Sequence, residues 1–82
     1  MRSKNNARKM AITLNVQTNR TNREKTMMKH LNRISLVKGF SIINIDYLRS
    51  TINSDTWKYE FYYGSPEYHN PDEFGEITVR TK

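Results

Sequence analysis

Cysteine is missing from all 82 residues of this chain. Its absence excludes disulfide bonds, thiolate metal ligands and cysteine nucleophiles together. Because small secreted domains commonly rely on disulfides for stability, the chain fits a reducing compartment better, and we expect it to be cytoplasmic.

Long apolar runs are also missing, since hydrophobic residues never continue for more than three positions. A membrane-spanning helix needs about 20 such residues, and the apolar region of a secretory signal needs about 7 to 15. We therefore predict a soluble protein with no membrane segment.

Acidic residues are scarce in the first 33 positions, which contain nine Lys or Arg and one acid, Glu24. That segment carries +8, whereas residues 34–82, with five cations and seven acids, carry −2, and together they make the chain's +6. A charge imbalance of this kind bears on partners rather than on fold. It favours nucleic acid or an acidic protein surface as the partner.

The domain organisation follows from the length and from the composition of the N-terminus. Residues 1–9 (MRSKNNARK) carry four cations and no apolar periodicity, so we predict a flexible basic arm there. The rest of the chain is long enough for one hydrophobic core and too short for two. We therefore predict a single domain over residues 10–82.

The spacing of apolar residues predicts one helix and four strands. Residues 10–18 alternate between apolar and polar, as a half-buried strand does. Thr21 and Glu24 have the spacing of a capping box and predict a helix from about residue 22 to 37, which Gly39 would end. Segments 40–49, 56–64 and 76–80 predict three further strands. The expected fold class is α+β, a two-layer βαβββ arrangement with one amphipathic helix packed on a four-stranded antiparallel or mixed sheet.

Three sets of side chains are expected to face the core because each set shares one side of its element. The set on the helix is Met27, Met28, Leu31, Ile34 and Ser35. The set on the second strand is Ile43, Ile45 and Tyr47. The set on the third strand is Trp57, Tyr59, Phe61 and Tyr63.

Enzymatic chemistry has few candidate residues in this chain. His69, Asp72 and Glu73 bring an imidazole and two carboxylates close together, a set that suits a hard divalent cation or acid–base work. A surface loop broken by proline holds such groups with little rigidity. The phosphate-binding P-loop, the dinucleotide-binding motif and the serine nucleophile motif are all absent from the sequence. We therefore predict no catalytic, metal or cofactor site and no enzymatic activity.

The basic residues of the N-terminal third form the strongest functional pattern. Lys25, Lys29 and Arg33 recur every four residues, which places them about 6 Å apart along one face of the helix. Such a stripe can simply keep a helix face hydrated, but the scarcity of acids around it favours contact with phosphates. The predicted residues for binding nucleic acid or an acidic partner are Arg2, Lys4, Arg8, Lys9, Arg20, Arg23, Lys25, Lys29 and Arg33.

Two tyrosines outside the predicted core row are candidates for exposed aromatic contacts. Tyr62 alternates with that row, and Tyr68 lies in the loop that contains both prolines. An exposed aromatic ring can stack on a base or anchor a protein interface.

Two functions are compatible with these patterns. The first is a small basic non-enzymatic protein that contacts DNA or RNA phosphates through the arm and the basic helix face. The alternative is a small inhibitor or adaptor, of the kind that phages encode, which binds an acidic or nucleic-acid-accommodating surface of a larger host protein. An unpaired edge of the small sheet would in addition allow a homodimer.

Overall fold

The computed structural model of the chain describes residues 13–81, with side chains for residues 17–19 and 21–81. The predicted arm at residues 1–9 and the first three residues of the predicted strand at 10–18 lie outside the described residues. The order of elements is the predicted βαβββ, and the α+β class is confirmed. The elements are β1 (Thr13–Thr18), α1 (Arg23–Lys38), β2 (Ser41–Thr51), β3 (Ser54–Tyr62) and β4 (Phe74–Thr81).

The four strands form one mixed sheet in the order β1-β4-β3-β2. Neighbouring strands are antiparallel except for β1 and β4, which run parallel. It follows that β1 and β2, the two edge strands, point in the same direction, and α1 connects them across one face of the sheet. The other face of the sheet is not covered by α1.

The core lies between α1 and the sheet, as the alternation predicted. Trp57, Tyr59 and Phe61 of the predicted aromatic row are buried, but Tyr63 follows the end of β3 and is 45% exposed. Its ring packs edge-on against Phe61 at the rim of the core. The buried residues are Met27, Leu31, Phe40, Trp57, Tyr59, Phe61, Ile77 and Val79.

The helix buries a narrower face than the sequence predicted. Met27 and Leu31 are buried and Ile34 is partly buried, whereas Met28 is 39% exposed. The reason is angular, since each residue advances by about 100° around a helix and Met28 therefore lies to the side of the line from Met27 to Ile34.

Two irregularities in β2 overturn one part of the predicted core. The pairing of β2 with β3 skips Ile43 and Leu48, so each of these residues forms a β-bulge. Because an extra residue shifts the alternation, Ile42 rather than Ile43 packs against the core, together with Ile45. The prediction for Ile43 was therefore wrong, while Tyr47 contacts the edge of the Trp57 ring and stays largely exposed.

The ends of α1 follow one prediction and contradict another. Gly39 ends the helix as expected, with a left-handed φ of 80° and an N–H that donates to the carbonyl of Ser35. The start differs, because residues 20–22 form a single 3-10 turn and the helix begins at Arg23 without a side-chain cap. The capping box predicted at Thr21 and Glu24 is therefore not formed.

Gly75 lies in β4, which begins at Phe74, two residues before the start of the predicted strand at 76–80. It faces Tyr59 across the β3–β4 ladder, and a β-carbon at position 75 would overlap the Tyr59 ring. Glycine is therefore required at this position so that the ring can lie against the backbone of β4.

Candidate functional site

Arg23 was predicted to bind a partner, but in the structure its side chain is buried. It is only 8% exposed, and its guanidinium forms an ion pair with Asp55 at 3.2 Å. Its Nε and Nη2 both donate to the Thr81 hydroxyl, and Asp55 also accepts a hydrogen bond from the Tyr47 hydroxyl at 2.9 Å. Arg23 therefore ties the first turn of α1 to the β2–β3 hairpin and to the end of β4, and it is not available to an external partner.

The helical periodicity contained the signal for this burial. Arg23 lies four residues before Met27, which places it about 40° from Met27 on the apolar face of α1. Arg23 therefore lies on a different face of the helix from Lys25 and Lys29, although all three belong to the basic N-terminal third.

Three other basic residues of α1 form an exposed stripe, named here the helix stripe, which consists of Lys25, Lys29 and Arg33. Of the four ion pairs among the described side chains, none involves a residue of the helix stripe. The charge of the helix stripe is therefore not neutralised by carboxylates of the later strands within residues 13–81.

A groove of about 250 Å³ lies between the end of β1 and the first two turns of α1. Two residues of the helix stripe contribute to it, and it contains no carboxylate. The hydroxyl of Thr26 donates a hydrogen bond to that of Thr18 at 3.0 Å, and both residues line the groove. The residues that line the groove are Thr18, Asn22, Lys25, Thr26 and Lys29. Two ammonium groups, two hydroxyls and an amide are donors that suit a phosphate or a carboxylate.

The other cations that the sequence predicts for binding have side chains outside the described part of the structure. Arg2, Lys4, Arg8 and Lys9 belong to the segment outside residues 13–81. Arg20 begins the 3-10 turn that precedes α1, and its side chain is not among the described ones.

The two predicted tyrosines are separated from the helix stripe. Tyr62 alternates with the buried Phe61 and so lies on the sheet face opposite α1, where it is partly buried. Tyr68 ends a short 3-10 turn, is well exposed, and packs its ring beside Gly64. The structure therefore does not bring these rings together with the lysines of the groove.

Charges on the open sheet face are largely paired with one another. Glu60 forms an ion pair with Lys58 at 3.8 Å, and its carboxylate lies 3.1 Å from Nε2 of His69. Lys58 also lies over the ring of Phe74, 5.0 Å from its centre. Arg49 reaches across the sheet to Glu76 at 3.3 Å. This face is therefore nearly balanced in charge, in contrast to the helix stripe.

The loop that contains His69 does not assemble the set of ligands considered from the sequence. His69 contacts Glu60 of β3, while the backbone N–H groups of Asp72 and Glu73 donate to the side-chain and main-chain oxygens of Asn70. Among residues 13–81, no three His, Asp or Glu side chains lie close enough together to hold a metal ion.

Within the described part of the chain, no helix is both long and apolar enough to cross a membrane. The chain matches no protein-family model, no curated protein and no solved structure.

Proposed function

We propose that this chain is a non-enzymatic binding protein that contacts nucleic-acid phosphates through the helix stripe and the groove beside it. The observation that carries the proposal is that Lys25 and Lys29 line a groove without carboxylates and take no part in the ion pairs of the described residues. Both ammonium groups are therefore open to an external anion.

The geometry of the helix stripe suits contacts that do not depend on sequence. Its side chains are about 6 Å apart along the helix axis, one turn for each step. A lysine ammonium is a flexible point charge that binds a phosphate from many directions, unlike the fixed fork of arginine. Binding would be driven by the release of counterions from the phosphate backbone, and it would weaken steeply as salt increases.

The proposal is tested by fluorescence anisotropy with duplex and single-stranded DNA and RNA at roughly 50 and 200 mM salt. The variant Lys25→Glu/Lys29→Glu places two acids in the groove, and we expect it to lose about tenfold or more in affinity at the lower salt. A control with the same change of net charge is Lys38→Glu/Arg80→Glu, which alters exposed cations outside the groove.

Two results would contradict the proposal. One is an equal loss of affinity in the groove variant and in its control, because only net charge would then matter. The other is wild-type binding that does not change between the two salt concentrations, or no binding to any nucleic acid at the lower one.

The alternative function is a small inhibitor or adaptor that binds an acidic or nucleic-acid-accommodating surface of a larger host protein. It is favoured by Leu36 and Val37, which are 83% and 79% exposed near the C-terminal end of α1. Exposed aliphatic side chains beside a basic stripe suit a protein surface better than a phosphate backbone.

The two functions differ in what the immobilised protein retains from a host lysate that has been treated with nuclease. A host protein that is retained by the wild type and lost with Leu36→Ser/Val37→Ser would support the alternative. If proteins are retained only when the nuclease treatment is omitted, and Leu36→Ser/Val37→Ser retains them as the wild type does, the nucleic-acid function is supported.

A further inference from the structure

Strand β2 forms one edge of the sheet, and it is both long and rich in exposed apolar residues. It pairs with β3 on one side, and no other described strand pairs with its second side. Four large apolar residues on this strand and its turn are exposed, and Ile52 reaches 86%. The four residues are Ile43, Tyr47, Leu48 and Ile52. An edge of this composition can pair with a further strand.

The bulge at Leu48 gives this edge an unusual distribution of charge. Asp46 lies opposite Lys58 and Arg49 lies opposite Thr56, so both point to the open face of the sheet. In a regular strand, residues three apart point to opposite faces. The extra residue at Leu48 therefore places an acid and a base on the same face, three residues apart.

We propose that two copies of this chain pair antiparallel through β2, about a twofold axis that passes between Tyr47 and Leu48. Each Asp46 then lies opposite Arg49 of the second copy, which makes two symmetric ion pairs. Of the four remaining pairs two are apolar, one is polar, and one joins an apolar residue to a serine. They are Ile43 with Ile52, Asn44 with Thr51, Ile45 with Ser50, and Tyr47 with Leu48.

The charges select this register over its neighbours. Pairing centred on Asp46 would place two carboxylates opposite each other, and pairing centred on Arg49 would do the same with two guanidinium groups. Like charges directly opposite each other destabilise an antiparallel pair. The present contact of Arg49 with Glu76 is exposed on the arginine side, so Arg49 can exchange it at little cost. Backbone hydrogen bonds and the apolar pairs would supply most of the affinity, and the ion pairs would set the register.

The dimer has a consequence for the surface of the molecule. A twofold axis perpendicular to the sheet keeps each face on its own side, so the two sheets would join into one of eight strands with both helices on the same face. Both helix stripes would then face the same partner, and two linked sites bind more tightly than one. The pairing itself depends only on β2 and goes beyond the proposed function.

Sedimentation of protein freed of nucleic acid tests the pairing, with complementary single variants. In Asp46→Lys each new lysine faces Arg49, and in Arg49→Glu each new glutamate faces Asp46, so each variant alone should dimerise about tenfold or more weakly than the wild type. When the two variants are mixed, the new lysine of one copy can face the new glutamate of the other. The native Arg49 and Asp46 then face each other at the second pair, so dimers should return to near the wild-type level.

Three controls separate this effect from folding and from net charge. Asp72→Lys changes the charge as Asp46→Lys does, but in the loop before β4, and should leave the dimer unchanged. Glu76→Gln removes the present contact of Arg49 without altering the edge, and it should not weaken the dimer. Circular dichroism of each single variant checks that it is folded.

The proposal would be overturned by a wild type that remains monomeric at about 100 µM. It would equally be overturned if both single variants dimerised like the wild type, or if mixing them restored nothing. None of these measurements contains nucleic acid, so a failure here leaves the proposed function intact, and a failure of that function leaves the dimer intact.

Discussion

Arg23 illustrates how a single residue can change role between sequence and structure. By charge it belongs to the basic N-terminal third, but by position it is a buried connector between α1, the hairpin and the end of β4. A buried cation without its partners is costly, since the desolvation of its charge is then uncompensated.

We predict that Arg23→Met lowers the free energy of unfolding by about 2 to 4 kcal/mol, because it leaves the Asp55 carboxylate without its cation in a partly buried position. The matched change Arg33→Met, on the exposed side of the same helix, should cost less than about 0.5 kcal/mol. Urea denaturation of both variants measures the difference. Equal midpoints would show that the Arg23 contacts contribute nothing to stability.

Tyr59 gives the stability of the protein a dependence on alkaline pH. Its burial in the core raises the pKa of the hydroxyl above the ordinary value of 10.0, and the electrostatic interaction with nearby Tyr63 raises this pKa further. Because the unfolded chain releases this proton at lower pH than the folded one, the stabilisation is complete below pH 10 and is lost as pH rises through the folded pKa.

We predict that Tyr59→Phe reduces the loss of stability above about pH 10, since the variant has no hydroxyl to ionise in the core. Tyr68→Phe removes a hydroxyl from an exposed ring and should keep the alkaline loss of the wild type. Thermal unfolding of the three proteins between neutral pH and about pH 11 measures this. An identical alkaline loss in the Tyr59→Phe protein would contradict the assignment.

At the scale of elements, β2 departs furthest from its sequence pattern. Three apolar residues at positions 42, 43 and 45 leave the alternation ambiguous, and the bulge at Ile43 resolves it in favour of Ile42 and Ile45. A bulge depends on how two strands pair, so the sequence of one strand does not reveal it.

We predict that two neighbouring and chemically identical changes in β2 lower the stability by different amounts. Ile42→Ala removes contacts with the core and should cost about 1 to 2 kcal/mol, less than a fully buried isoleucine would. Ile43→Ala should cost less than about 0.5 kcal/mol when measured in the monomer. Urea denaturation at low protein concentration compares them, and a larger loss for Ile43→Ala would show that the bulge is absent.

At the scale of the whole molecule, charge is divided between two surfaces. On the open sheet face Lys58 pairs with Glu60 and Arg49 pairs with Glu76, whereas the helix stripe has no ion pair among the described residues. A partner with many negative charges would therefore meet its strongest attraction on the helix side, and the basic residues of the predicted arm would add to it.

We predict that the salt dependence of binding to duplex DNA distinguishes the phosphate contacts of the arm from those of the helix stripe. Three helix cations and four arm cations would give a log–log slope of about −6, at about −0.9 for each phosphate contact. Replacing Arg2, Lys4, Arg8 and Lys9 with glutamine should reduce the slope to about −3. An unchanged slope would mean that the arm does not contact phosphates.

Much of the fold could be read from local patterns. The helix at Arg23–Lys38, the end at Gly39 and the burial of Trp57, Tyr59 and Phe61 follow from periodicity and from backbone preferences, which act over a few residues. The exposure of Lys25 and Lys29 follows from the same periodicity.

What the sequence by itself determined, then, is the order of elements, the class of fold and the uneven distribution of charge, because each depends on residue type and short-range spacing. Only the tertiary structure decided that β1 pairs with β4, that Ile42 replaces Ile43 in the core, and that Arg23 is buried against Asp55. These features depend on contacts between residues far apart in the chain, and such contacts form only when the packed elements bring both partners together.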